Sequence, residues 1–319
     1  MVTRRGMLTL VGGGCVLAAV GAGGFVAANG PSRSARAPWR EAGQETEFRR
    51  RALSYAILAP NPHNRQPWRV RLDGDDALTL YCDMDRRLPA TDPHDRQIVI
   101  GHGAFLELLA MAAAEDGYGT EVTPFPEGED MATLDDRPVA RVRFNAGGAE
   151  PNPLFAHTLS RHTNRNAFEA RDVDADALAA TISSGNVEGV TANGCGNDAL
   201  AAQLRDLTWR AHSVEMTTDY TNQESVDLMR IGAREVAANP DGLFLEGPMI
   251  GLGHLAGVIN REALSDPNSS ASQQGMAMFH EVAMSARAYA WLTNSGTTRA
   301  SQISAGRAYM RLVLAAERE

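Results

Sequence analysis

Apolar residues recur at helical spacing through 44–59, with Phe48, Leu53, Ala56 and Ile57 on one side of a 3.6-residue repeat. That helix must stop at Pro60-Asn61-Pro62, because proline drives the residue before it out of the helical region. The pattern then changes to a period of two. Residues 68–72 and 77–81 alternate like strands around the turn Asp73-Gly74-Asp75-Asp76. A second helix is predicted over 97–117, with Ile100, Phe105, Leu108, Leu109 and Ala112 on its apolar side, and 139–144 alternates again. Residues 145–152, rich in glycine and polar groups, read as a joint. Beyond it the spacing predicts a short helix at 153–161 and helices at 174–183, 198–216, 225–238 and 272–284. A strand at 286–292 and a last helix at 299–316 follow. Strands mixed with many helices, without regular alternation, predict an α+β fold. The chain divides into a leader with its linker (1–37), a first half (38–150) and a second half (151–319).

Thr3-Arg4-Arg5-Gly6-Met7-Leu8 precedes an apolar, glycine-rich run over 8–28. Positive charge ahead of an apolar stretch is the general export pattern. The paired arginines resemble the twin-arginine signal, and the glycine-diluted run agrees with that route. The competing reading is a single anchor, since such a run is long enough to span a bilayer. The expectation is export by the twin-arginine machinery, to the periplasm or to a membrane anchorage facing it. That route carries folded proteins, commonly because a cofactor is inserted before export.

Composition changes this picture in two ways. All 30 basic residues are arginine, so any phosphate must be met by guanidinium forks or backbone N–H groups. Formal charge is −9; residues 1–37 hold four arginines and no acid, so the remainder carries −13. An acidic body without a basic stripe speaks against nucleic acid as a partner. The three cysteines, Cys15, Cys82 and Cys195, show no metal-site spacing, and neither a disulfide nor a metal is expected. Gly251-Leu-Gly253-His-Leu-Ala-Gly257 has the wrong spacing for a dinucleotide loop and reads as a loop near a helix start. His157 and His162 are badly spaced for a metal pair.

Two segments carry candidate chemistry. Ala59-Pro60-Asn61-Pro62-His63-Asn64-Arg65-Gln66-Pro67-Trp68 resembles the loop A-P-S-x-x-N-x-Q-P-W of the FMN-dependent nitroreductases, at the same place between helix and strand. Taken alone it is also a proline-rich connector with a buried tryptophan. Arg161-His162-Thr163-Asn164-Arg165, followed by Ala167-Phe168, is similar to that family's opening R-x-S-x-[KR]-x-[FY], with one extra residue. Taken alone it is a basic turn. The resemblance implies that Pro60, Asn61, Asn64 and Gln66 contact the flavin. It gives Arg161 and Thr163 to the ribityl-phosphate and Arg165 to the N1/O2 edge. Forked guanidinium and a hydroxyl suit a phosphate dianion, and a nearby cation stabilises the negative charge of a reduced flavin.

In the family the arginine segment comes first and the loop later; here the order is reversed. Residues 183–188 stand where a second loop would be expected, without Gln-Pro-Trp. The chain therefore resembles a fused, single-chain subgroup, with two pseudo-symmetric halves each keeping half of one flavin site and a lid able to cover it. Further likeness lies in Leu88–Pro93 with Arg96, in Gly103–Leu109 and in Ala305–Tyr309 with Arg311. The family continues past the last helix into a segment that finishes the sheet, so the second half is expected to be short. The resemblance implies an FMN-dependent oxidoreductase passing hydride or electrons to a small nitro- or quinone-like acceptor, with no protein nucleophile. NAD(P)H or another reductant is the donor, and the chain is a monomer or weak homodimer. The other readings are a protein that sequesters flavin without turnover and a structural remnant that binds nothing.

Overall fold

Pro38 opens a short first helix, α1 (Ala37–Glu41), and Glu47 caps the next, α2 (Phe48–Ala56), by accepting the Arg50 N–H at 3.0 Å. The computed structural model describes residues 25–26 and 28–319, and the twin-arginine motif at 3–8 lies outside them. Helix α2 ends three residues before the expected stop. Leu58 and Ala59 turn back through bonds to Tyr55 and Ala56, tightening the last turn.

Strands β1 (Trp68–Asp73) and β2 (Ala77–Cys82) form a hairpin, with Trp68 opposite Cys82 and Asp73 opposite Ala77. Buried Arg49 holds its turn, donating to the carbonyls of Gly74 at 2.8 Å and Ala77 at 3.0 Å. After α3 (Arg96–Glu115) come β3 (Tyr118–Pro124) and β4 (Ala140–Ala146), completing an antiparallel sheet in the order β1-β2-β4-β3. Among the described residues, α3 alone is long and apolar enough to cross a membrane, yet it is the core helix. Its Ile98, Phe105, Leu106, Leu108 and Leu109 are buried against Leu78, Leu80, Val142 and Phe144.

A tight turn at Pro153–His157 leads to α4 (Ala175–Ser184) and β5 (Val190–Cys195). A long excursion follows, comprising α5 (Ala199–Thr217), α6 (Asp219–Asp227), β6 (Met229–Ile231), α7 (Gly232–Ala238), β7 (Leu243–Leu245), α8 (Pro248–Leu255), α9 (Arg261–Ser265) and α10 (Ser270–Ser285). The chain then returns as β8 (Tyr289–Asn294), antiparallel to β5, and closes with α11 (Arg299–Arg318). Thus α2-β1-β2-α3 and α4-β5-β8-α11 follow the same order, the second interrupted between its strands.

Helices α3 and α11 touch through backbone. A side chain on Gly103 would strike the Ile303 carbonyl, and one on Gly306 would strike the Ile100 carbonyl. Each glycine lies three residues after the carbonyl that its opposite number meets, so the contact is reciprocal. Fully buried Arg299 fixes the start of α11, donating to the carbonyls of Asp130 at 2.8 Å and His94 at 2.6 Å.

The structure departs from the sequence pattern at four places. The helix expected over 225–238 is split by β6, because Gly232, at φ 81°, turns the chain before α7 begins. Strands β3 and β5 carry too many polar or small residues to show an alternating pattern, and β7, three apolar residues, is too short to show one. The helix expected over 153–161 is a turn of five residues. The glycine segment at 251–257, expected as a loop, lies largely within α8.

Candidate flavin site

The loop following α2 is built on unusual backbone. His63, Asn64 and Gln66 all have positive φ, at 46°, 52° and 49°. Three left-handed non-glycine residues in four positions persist only where surrounding contacts over-determine them. Those contacts are present. Asn61 Oδ1 accepts the Gln66 N–H at 2.7 Å, closing the loop on itself. Gly101 of α3 leaves room for the loop: a Cβ there would stand 3.2 Å from Asn61 Cβ and 3.5 Å from Pro62 Cδ. Trp68 packs on Phe105 with ring centroids 5.1 Å apart, and the His102 ring lies 3.2 Å from the Pro67 carbonyl. Pro60 is half-buried at the head of the loop.

The later half reaches this loop at two points. Arg161 is buried, and its Nη2 donates to the Leu58 carbonyl at 3.3 Å, two residues before Pro60. Burial pulls the Arg161 guanidinium below its ordinary range, while Tyr309 and Glu317 oppose that shift. Arg165 is exposed, and its charge acts on the His63 ring. The Nδ1 of His63 is buried without a partner among the described residues. Desolvation lowers the pKa of His63; Glu224 opposes the shift, and Arg165 and Arg65 reinforce it. Thr163 is exposed, and neither it nor Arg165 makes a side-chain hydrogen bond among the described residues. Arg161 is thus in contact with the residue that precedes the 59–68 loop.

The amide side chains of the loop are engaged elsewhere. Asn64 Nδ2 donates to the Gly242 carbonyl at 3.3 Å, and Gln66 Nε2 donates to the Pro240 carbonyl at 2.8 Å. The Gly242 N–H returns a bond to the Asn64 carbonyl at 3.1 Å. Asp241, between them, pairs with Arg65 and Arg230 at 2.7 Å each and with Arg86 at 3.5 Å. This clamp was not among the residues expected from sequence. Its signal is Asn239-Pro240-Asp241-Gly242, a strong turn signature, but nothing in that signature names the loop it meets.

Glu224 of α6 makes a second connection. Its carboxylate accepts the N–H groups of Ala90 at 2.9 Å and Thr91 at 2.8 Å, along with the Thr91 hydroxyl at 2.6 Å. Two cavities of about 580 and 430 Å³ lie elsewhere. One is lined by Arg96, Asn294 and Gln302, the other by Glu107, Arg307 and Arg311. No predicted site residue lines either. Cys82 and Cys195 are buried free thiols, and burial pushes the Cys82 thiol up to about 12.

No family model matches the chain. Among curated relatives, a Mycobacterium tuberculosis protein provisionally named as an NAD(P)H nitroreductase is 30% identical over 149 residues, 45% of this chain and 41% of that protein. Another from the same organism, provisionally named NAD(P)H nitroreductase acg, is 35% identical over 127 residues, 39% of this chain and 36% of that protein. An uncharacterized protein of that organism is 34% identical over 125 residues. Each match spans about two fifths or less of the relative's length. The chain is thus related in sequence, over part of its length, to proteins named as nitroreductases.

Proposed function

We propose that the chain is an FMN-binding oxidoreductase of the nitroreductase type, passing hydride or electron pairs to a small organic acceptor. The observation that carries this reading is the bond from Arg161 to the Leu58 carbonyl, which joins the arginine segment to the head of the 59–68 loop. The donor set suits the phosphate end of the cofactor. Among the described residues, Arg165 and Thr163 are exposed and uncommitted, Arg161 has donors beyond its one bond, and His63 Nδ1 is an orphaned buried atom. Arg161 and Thr163 would hold the phosphate, and Arg165 would place positive charge at the pyrimidine edge. Asn61 keeps the loop closed through the Gln66 N–H. The flavin, when bound, supplies the redox chemistry itself. NAD(P)H or another reductant would serve as donor.

The shared element order and the reciprocal Gly103–Gly306 crossing support two related halves in one chain, sufficient for one site in a monomer. With its twin-arginine leader, the protein would work in the periplasm or on the membrane facing it. One observation favours a second reading, flavin held without turnover: Asn64 and Gln66 are already bonded to the 240–242 backbone.

The test is the absorbance spectrum of the purified protein. A yellow flavin band is expected, and bleaching by NADPH or NADH without oxygen separates turnover from storage. Arg161→Ala with Arg165→Ala should remove the band. The single Arg165→Ala change, at an exposed position, should weaken flavin retention while leaving the circular dichroism unchanged. A double variant that folds and stays fully loaded would refute the assignment of these arginines.

A further inference from the structure

Helix α8 presents an apolar face to solvent. Met249, Leu252 and Leu255 recur at i, i+3 and i+6, exposed to 77%, 54% and 74%, and Val258 continues the face beyond the helix. No Asp, Glu, Arg or Lys occurs from residue 247 to residue 260. Apolar side chains exposed as a contiguous row, not singly, mark an interaction surface. The spacing of 251–257 predicts a loop near a helix start, whereas the structure has a helix over most of it.

The surroundings identify the partner. The first described residues of the chain, 25–26 and 28–29, form a turn that rests on this helix: a side chain on Gly251 would overlap the Asn29 carboxamide. Val26, in the same turn, is 52% exposed. This turn is held to the body further along, where the Ser32 N–H donates to Glu246 at 2.9 Å and Arg36 pairs with the same carboxylate. In sequence, residues 6–32 contain no charged side chain, and Arg33, Arg36 and Arg40 follow with no acid among residues 33–40. An uncharged run therefore meets the body of the protein beside the exposed face of α8, with a small basic cluster behind it.

We propose that the α8 face, with Val26 and Val258, docks on a lipid bilayer. Met249, Leu252 and Leu255 would enter the boundary between headgroups and acyl chains, and Arg33 and Arg40 would reach the anionic headgroups. Apolar side chains on one face with arginine at the margin is the composition of an interfacial helix. The acidic body, at −13, would be repelled by anionic lipid, so the contact is confined to this edge. Lipid is the occupant that suits both features of this edge, the apolar face of α8 and the uncharged run that leads to it.

The experiment uses the full chain with Cys15→Ser and Leu255→Cys, labelled at position 255 with an environment-sensitive fluorophore. A control chain carries the label at Asp75→Cys, in the exposed β1–β2 turn. Vesicles contain phosphatidylcholine with a minority of phosphatidylglycerol and a nitroxide lipid. The protein should float with the vesicles, and the label at 255 should shift to the blue and be quenched, while the label at 75 should do neither. Adding Met249→Asp and Leu252→Asp should abolish quenching at 255. Absence of flotation would overturn the proposal. So would flotation without quenching at 255, which assigns binding to the leader alone. Equal quenching at both positions, or a blue-shifted label before vesicles are added, would overturn it too, the latter by placing another part of the chain or a second copy on the face.

Discussion

Replacing Gly306 by alanine sets two effects of opposite sign against each other. Helix propensity favours the change by about 1 kcal/mol. Packing opposes it. The new Cβ would overlap the Ile100 carbonyl oxygen and stand 2.8 Å from the Gly103 Cα, where ordinary contact begins near 3.4 Å. Both obstacles are backbone, so no rotamer change relieves them, and α3 and α11 must part by roughly 1 Å along their shared buried seam. Overpacking of this kind costs about 1–3 kcal/mol, and the upper end applies because main chain is struck. The net expectation is destabilisation by about 2 kcal/mol. Gly275→Ala in α10 is the control: its Cβ would meet nothing within 4 Å, so propensity acts alone and stability should rise by about 0.5–1 kcal/mol. Gly103→Ala should behave like Gly306→Ala. Because one displacement relieves both clashes, the double variant should lose less than the sum of the singles. Urea unfolding followed by circular dichroism measures all four. If Gly306→Ala matched Gly275→Ala, or the double change were additive, the reasoning about a shared backbone contact would fail.

Two further outcomes follow from charge. Burial depresses the pKa of His63 below its ordinary 6.5, so in acid the unfolded chain takes a proton before the folded one. Stability from this group is complete above 6.5 and falls as pH drops toward the folded pKa. His63→Asn, which tolerates the left-handed φ of 46°, should reduce that loss in melts compared at about pH 7.5 and 5.5. Part of the slope should remain, because buried His102 is shifted in the same direction by its own desolvation. At the other charged cluster, Glu107 is 1% exposed and pairs with Arg307 at 2.7 Å and with Arg311. Both arginines are about one-third exposed and can be rehydrated. Glu107→Met should therefore cost less than about 1 kcal/mol, whereas Arg307→Met with Arg311→Met strands a buried carboxylate and should cost about 3–5 kcal/mol in denaturant titrations. Equal losses would contradict this asymmetry.

Long elements were legible because burial imposes their period. The pattern of α3 places Phe105, Leu108 and Leu109 on the apolar side, and all three are in the core. The 59–68 loop stands out in the sequence for the Asn and Gln residues set among its prolines. What engages them was not legible. Asn64 and Gln66 meet carbonyls more than 170 residues away, and a turn such as 239–242 looks the same wherever it docks. Short strands escaped for a related reason. Strand β6, of only three residues, owes its form to pairing with β7, so its pattern alone reads as the middle of a helix. Gly103 and Gly306 were visible within the segments of family likeness, yet only the three-dimensional crossing shows why neither can be alanine.

Arg161 carries the deepest implication of the site. Other buried arginines in the protein are well supplied with acceptors. Arg299 has three carbonyls and Gln302 Oε1, and Arg65 has Asp241 and two carbonyls. Arg161 is 8% exposed and, among the described residues, its side chain has one acceptor, the Leu58 carbonyl at 3.3 Å. Taking a guanidinium out of water for one long bond to a neutral group is costly, and the downward pull of burial on its pKa expresses the same cost. An anion brought to that position would offset the desolvation, with Thr163 and Arg165 on the same exposed segment to share the contact. The energetic deficit at Arg161 is therefore the physical reason for the proposal to put the cofactor phosphate beside it.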